Sequence, residues 1–70
     1  MFNEFELSDL PVGSVVVAVD RLGPDSELVV ERTYENVKNG EPGFDAHYVA
    51  DPTNLTWRYM SQVVRIVRKP

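Results

Sequence analysis

The sequence predicts an all-β fold, a single small five-stranded antiparallel barrel, and three observations lead to it. From Gly13 to Asp20 the chain contains five consecutive apolar residues. A strand exposed on one side would alternate, so both faces of this one are expected to be covered. Turn signals recur about every 8–12 residues, and no segment keeps a helical apolar period. In so short a chain a strongly bent barrel is economical, because closure removes free sheet edges.

Two strands are expected in the first half of the chain. The segment Phe2–Leu7 is expected to be a short edge strand or an ordered tail, which Pro11 ends because proline donates no backbone hydrogen bond. The central strand then runs from Ser14 to Asp20. A turn at Pro24 leads into the second strand, Glu27 to Tyr34.

The second half predicts a long irregular segment and three further strands. Residues 36–44 contain the turn signals Asn39-Gly40 and Pro42-Gly43, so this segment is expected to be a loop. A third strand follows at 45–51 and a fourth at 55–60, separated by an Asp-Pro turn. A single helical turn at Ser61-Gln62 is expected before the closing strand, Val63–Arg68.

Alternation along the strands predicts which side chains fill the core. The apolar face of the second strand comprises Leu28, Val30 and Tyr34. Arg32 interrupts that face, and its aliphatic stem is expected to lie along apolar surface while its head reaches water. In the fourth strand Leu55, Trp57 and Tyr59 share a face, and both rings are expected in the core, because a small barrel needs large side chains. Exposed instead, they would form a binding hot spot.

The order of these features resembles the SH3-like small β-barrel. The shared features are Gly13-Ser14 before a valine-rich strand, a longer loop after the second strand, Trp57 in the fourth strand, and Ser61-Gln62 before the last strand. The resemblance covers residues 10–68 and implies one SH3-like barrel domain spanning 1–70. The acidic, arginine-poor composition also resembles that of small phage-encoded and bacterial accessory proteins.

Barrels of this kind bind polyproline segments or methylated cations, and each ligand class needs its own set of aromatic residues. Signalling SH3 domains carry an Ala-Leu-Tyr-Asp-Tyr run whose tyrosines help to form a polyproline groove; this chain has Val-Val-Val-Ala-Val-Asp there, so that role does not carry over. Tudor and chromo modules hold a methylated cation in a cage of aromatic rings. Four rings are available for such a cage, and the sequence leaves open whether they converge. They are Phe44, Tyr48, Trp57 and Tyr59.

The net charge of −4 hides a separation of charge along the chain. All eleven acidic residues lie at or before Asp51, whereas the residues after it include four basic side chains and no acid. The four are Arg58, Arg65, Arg68 and Lys69. This asymmetry indicates either a surface for nucleic acid or an acidic partner, or a basic last strand that pairs with acidic strands of the same sheet.

Cysteine usage and the N-terminal residues indicate a cytoplasmic protein. The chain has no cysteine, which excludes disulfides and zinc-thiolate sites and fits a reducing compartment. The segment Met1–Glu6 has neither the basic residues nor the apolar run of a signal peptide, and no stretch approaches the roughly 18–20 apolar residues of a membrane span. A core of this size rarely supplies more than about 3–5 kcal/mol of net stability, and a homo-oligomer is one way to reinforce it.

The reactive side chains predict no enzyme, no cofactor and no metal site. His47 is the only histidine, and Asp45 and Asp51 on the same strand face are about 20 Å apart in an extended chain, too far to share one ion. Glu27 and Glu31 are about 13 Å apart, too far for a pair of glycosidase carboxylates. No glycine-rich phosphate loop is present.

The expected function is therefore a non-catalytic protein-interaction module that binds another protein or self-associates. One alternative is a nucleic-acid-binding barrel that uses the basic C-terminal strand, although eleven acids make nucleic acid an unfavourable partner. Another is an acidic inhibitor or mimic protein. The candidate binding residues are Phe44, Tyr48, Trp57, Arg58, Arg65 and Arg68.

Overall fold

Five antiparallel strands and one 3₁₀ turn form the regular structure of the protein, in a computed structural model that describes residues 10–20 and 23–70. The strands are β1 (Val15–Ala18), β2 (Ser26–Lys38), β3 (Glu41–Tyr48), β4 (Leu55–Tyr59) and β5 (Val63–Arg68). The 3₁₀ turn, Met60–Gln62, lies directly before β5. The all-β prediction is confirmed, and so is the helical turn before the last strand. The strand or tail predicted at Phe2–Leu7 lies outside the described residues.

The strands form one sheet in the order β4-β3-β2-β1-β5, and all neighbours are antiparallel. Because β4 and β5 are the two edges and no ladder joins them in residues 10–20 and 23–70, the sheet is open. The closed barrel expected from the sequence is therefore not confirmed. The architecture is compatible with an SH3-like fold.

The core forms around β1, which lies between β2 and β5. Val16 and Ala18 are fully buried on one face, and Val15 is buried on the other, so the predicted cover on both faces is present. The observed strand, Val15–Ala18, is shorter than the predicted 14–20. The core cluster comprises Leu10, Val16, Ala18, Leu28, Val30, Phe44, Ala46, Met60 and Val63.

The segment predicted as a loop at 36–44 is instead a β-hairpin. Strand β2 continues to Lys38 and β3 begins at Glu41, with these two residues paired across a two-residue turn. Asn39 and Gly40 both have positive φ, 57° and 79°, as the mirror-image hairpin turns require. The Asn36 carboxamide oxygen accepts a hydrogen bond from the Gly40 amide at 3.0 Å. The turn predicted at Asn39-Gly40 is therefore confirmed, whereas the one predicted at Pro42-Gly43 is wrong, because both residues belong to β3.

A β-bulge at Glu31 changes which residues of β2 face the core. Val30 pairs with Ala46, whereas the next pair is Arg32 with Asp45, so Glu31 is an extra residue on β2. After the bulge Thr33 lies opposite the buried Phe44, on the core side. The prediction that Tyr34 shares the core face of Leu28 and Val30 is wrong for this reason. The bulge also places Arg32 on the exposed side, which explains why a cation interrupts the apolar pattern.

The face of β4 that points to the core is the reverse of the one predicted. Thr56 lies opposite the buried Ala46 and Arg58 opposite the buried Phe44. Trp57 therefore lies on the outer face and is 43% exposed, so its predicted core position is wrong. Tyr59 is half-buried and packs edge-on against the Trp57 ring, with ring centroids 5.1 Å apart. The large ring that fills the core is Phe44, contributed by β3.

We expect Phe44→Leu to lower the free energy of unfolding by about 1–2 kcal/mol. The substitution removes buried ring atoms and leaves a cavity that the neighbouring residues of β4 and the 3₁₀ turn cannot fill. Urea unfolding of the purified protein measures the change. The control is Val12→Ala, at an apolar residue that is 61% exposed, which should change stability by no more than about 0.5 kcal/mol. Equal effects of the two substitutions would contradict this description of the core.

Candidate interaction site

Arg58 connects the edge strand β4 to the segment that follows β1. Its Nε donates to the Val19 carbonyl oxygen at 2.8 Å, and Nη2 donates to the Tyr48 hydroxyl at 3.2 Å. Nη2 also lies 3.7 Å from Asp20 Oδ2. The same Asp20 oxygen accepts the Ser26 hydroxyl at 3.0 Å and the Tyr48 hydroxyl at 3.4 Å. The guanidinium thus spans the gap that an open sheet leaves between its edge and the end of β1.

The remaining guanidinium nitrogen of Arg58 is also bonded within the protein. Nη1 donates to the Thr56 hydroxyl and, at 2.7 Å, to the Trp57 carbonyl oxygen. The side chain is only 12% exposed. Every nitrogen of this guanidinium therefore has an acceptor in the chain. We assign Arg58 a structural role, and Tyr48, which shares the network and packs against the core, belongs with it.

The same contacts cover part of the free edge of β4. The Trp57 carbonyl is bonded by Arg58, and the Tyr59 amide donates to the Gln62 side-chain oxygen at 2.8 Å. Unpaired backbone groups at an open sheet edge can pair with a strand of another chain. Here side chains occupy two of them, beside a polar cleft of about 320 Å³ lined by Val19, Asp20 and the β4 residues. This edge is poorly suited to adding a strand.

A second groove, of about 330 Å³, lies on the outer face of the sheet. It is lined by Glu31, Asp45, Ala46, Leu55, Thr56 and Trp57. Asp45 and Trp57 are directly opposite each other in the β3–β4 ladder, and the bulge on β2 adds Glu31 beside them. Leu55, at the start of β4, is 67% exposed. We call this feature the Trp57 groove.

The two carboxylates of the Trp57 groove are held by neighbouring side chains. The Tyr34 hydroxyl, which the bulge moves to this face, donates to Asp45 Oδ2 at 2.7 Å. His47 Nδ1 pairs with Glu31 Oε2. His47 is thus a partly exposed residue bound to a carboxylate. Residues 10–20 and 23–70 contain no group of three His, Asp or Glu side chains placed to hold a metal ion.

The other candidate binding residues lie elsewhere. Phe44 is fully buried in the core. Arg65 and Arg68 are exposed on β5, opposite Val17 and Val15 of β1, at the edge of the sheet farthest from β4 in strand order. The predicted pairing of this basic strand with acidic strands is not found, since β5 neighbours only β1 and its two arginines make no ion pair with a described residue.

The structure does not assemble the four aromatic rings into a cage. Phe44 is in the core, Tyr48 belongs to the Arg58 network, and Trp57 and Tyr59 pair on the outer face. Sequence reasoning missed the carboxylates beside Trp57, although a signal existed. A charged residue at 32 within an apolar alternation is what a bulge at the preceding residue produces.

Comparisons with protein-family models, with curated proteins and with solved structures found no match. In the described part of the chain, no helix has the length and apolar character needed to cross a membrane.

We expect Arg58→Ala to lower the free energy of unfolding by about 1.5–3 kcal/mol, because it removes the charge-assisted hydrogen bonds to Val19 and Trp57 and the ion pair with Asp20. Urea unfolding measures the loss. Arg65→Ala is the matched control, since it removes the same side chain from an exposed position on β5 and should cost no more than about 0.5 kcal/mol. Equal stability of the two variants would disprove the structural role of Arg58.

Proposed function

We propose that this protein is a non-catalytic protein-interaction module whose contact surface is the outer face of β3 and β4. The observation that supports this most is the exposure of Trp57, the only tryptophan of the chain, on a hydrogen-bonded strand next to the exposed Leu55. Tryptophan is enriched among residues that dominate binding energy in protein interfaces. A large apolar side chain held on a rigid sheet also loses little conformational entropy on binding.

The engagement of the polar side chains supports a non-catalytic role. Of the groups able to act as acid, base or electrostatic stabiliser, Arg58 is used to hold β4 in place, and His47 has Glu31 but no nucleophilic side chain as a hydrogen-bond partner in the described part of the chain. Catalysis needs such groups to converge on a reacting atom. Binding through an apolar surface needs no such arrangement.

A second copy of the chain is an alternative partner for the same surface. Reinforcement by a subunit would suit a core of this size. The basic strand β5 favours a further candidate function, binding of nucleic acid, because Arg65 and Arg68 are exposed and make no ion pair within residues 10–20 and 23–70.

We expect an immobilised wild-type protein to retain a defined set of proteins from lysate of its source cells, and Leu55→Ser and Trp57→Ser to lose that set. Mass spectrometry identifies the retained proteins. Val64→Ser is the matched control, because Val64 is similarly exposed but lies on β5. Circular dichroism must show each variant to be folded. An identical set retained by all three variants would overturn the proposal.

The nucleic-acid alternative is tested by fluorescence anisotropy with labelled single-stranded and double-stranded oligonucleotides at low salt. On β5 and directly after it, exposed positive charge is offered only by Arg65, Arg68 and Lys69, against a net charge of −4. We therefore expect no binding at protein concentrations of tens of micromolar, roughly the range of non-specific binding. Saturable binding that is lost in a double Arg65→Ala, Arg68→Ala variant would replace the proposed function with this one.

A further inference from the structure

We infer that the Trp57 groove binds a positively charged side chain, Lys or Arg, presented by an extended segment of a partner protein. This inference rests on the proposed function and names the chemistry of the partner. It follows from the position of two carboxylates and one exposed aromatic ring in a single groove.

The ring and the carboxylates are close enough to act on one cation. Asp45 and Trp57 are direct cross-strand neighbours, a relation that places Cβ atoms about 4.5–5.5 Å apart. A cation within about 6 Å of an indole ring is attracted by the electrons of its face. A guanidinium or ammonium group in the groove can therefore contact the Trp57 ring and the Asp45 carboxylate together, with Leu55 packing against its aliphatic stem.

The carboxylates are positioned before any ligand arrives. Tyr34 bonds Oδ2 of Asp45, and His47 bonds Oε2 of Glu31. Each bond uses one oxygen and leaves the second oxygen of that carboxylate able to accept from a ligand. Groups fixed in advance lose less entropy on binding than mobile surface acids do. The two bonds thus favour a specific site over a diffuse acidic surface.

Charge on the surrounding surface also selects a cation. Glu27, on the same strand as the bulge and on the face opposite to the buried Leu28, is exposed. Arg32 is paired with Asp45 in the β2–β3 ladder, but the two make no ion pair within the part of the chain that the structure describes. Arg32 thus lowers the negative potential of this face without occupying the Asp45 carboxylate. The three carboxylates of Glu27, Glu31 and Asp45 outnumber this one cation, so the face attracts positively charged segments.

The ligand lies across the face of the sheet and does not add to its edge. Arg58 and Gln62 occupy backbone groups of β4 that a new strand would need. The groove is shallow and small, so most of the affinity comes from one or two cationic side chains. We expect binding in the range of about 0.1–1 mM for a short peptide.

The test uses the full chain and the peptide acetyl-Gly-Arg-Gly-Arg-Gly-amide, with the Gln and Glu versions of the same peptide as probes of charge. Binding is followed by Trp57 fluorescence and by amide chemical shifts. We expect saturable binding of the Arg peptide alone, with the largest shifts in β3 and β4. Asp45→Asn should weaken binding of the Arg peptide about tenfold and Glu31→Gln about threefold. Both substitutions remove a charge with little change in the shape of the side chain.

The matched control is Asp25→Asn, which removes the same charge at an exposed residue outside the groove. If Asp45→Asn and Asp25→Asn weaken peptide binding equally, the loss reflects only the net charge of the protein, and the inference is overturned. Failure of the Arg peptide to bind at about 1 mM would also overturn it. The proposed function would then stand or fall separately, by whether Leu55 and Trp57 still govern protein capture.

Self-association is the remaining outcome, since a second copy carries exposed arginines on β5. Sedimentation velocity of the wild type and of the double Arg65→Ala, Arg68→Ala variant distinguishes it. A single species at all concentrations supports a separate protein as partner. Oligomers that disappear in the double variant would assign the groove to another copy of this chain and overturn the inference of a separate partner.

Discussion

The burial of β1 on both faces is the constraint on which the rest of the structure depends. Val16 and Ala18 are buried in the core cluster together with residues of β2, β3 and the 3₁₀ turn, while Val15 is buried on the opposite face. The far edge, β4, comes close to the end of β1, where Arg58 contacts Val19, but no ladder joins the two strands. One arginine side chain then supplies the connection that backbone pairing does not make, with Val19 and Asp20 as its acceptors.

This constraint also explains why the two faces of β4 differ from expectation. The inner side of this edge strand meets a core already filled by Phe44 and Met60, so it carries Thr56 and Arg58, which have hydrogen-bond partners there. The bulky apolar residues are left on the outer side. The exposure of Trp57 therefore follows from the packing of the core. Its side chain is available for contact with another molecule.

Local patterns in the sequence predicted much of the fold. The uninterrupted valines located the central strand, and the Asn39-Gly40 pair identified a turn of the type found in hairpins. What alternation could not predict was the strand face after a bulge, because one extra residue reverses every later position. The same method failed at β4, where both faces of the strand contain large side chains and only tertiary packing decides between them.

The candidate site was predictable only in part, because it too depends on a bulge and on strand order. Trp57 was recognised as either a core or a contact residue, but its neighbours come from the bulge and from strand order, which the sequence does not display. Asp45 and Glu31 are separated by fourteen positions and meet across a hairpin that was expected to be a loop. Arg58, in contrast, was predicted from its charge to be a binding residue, but its guanidinium is hydrogen-bonded within the chain.

The side-chain bonds along β4 have a consequence for the behaviour of this protein at high concentration. Sheet edges that are flat and apolar act as templates on which other molecules polymerise into fibrils. Arg58 bonds the Trp57 carbonyl and Gln62 bonds the Tyr59 amide, so these two backbone groups are not available to pair with another molecule. The Trp57 side chain remains exposed. The chain can thus carry a hydrophobic contact residue on an edge strand that offers fewer backbone groups for fibril growth.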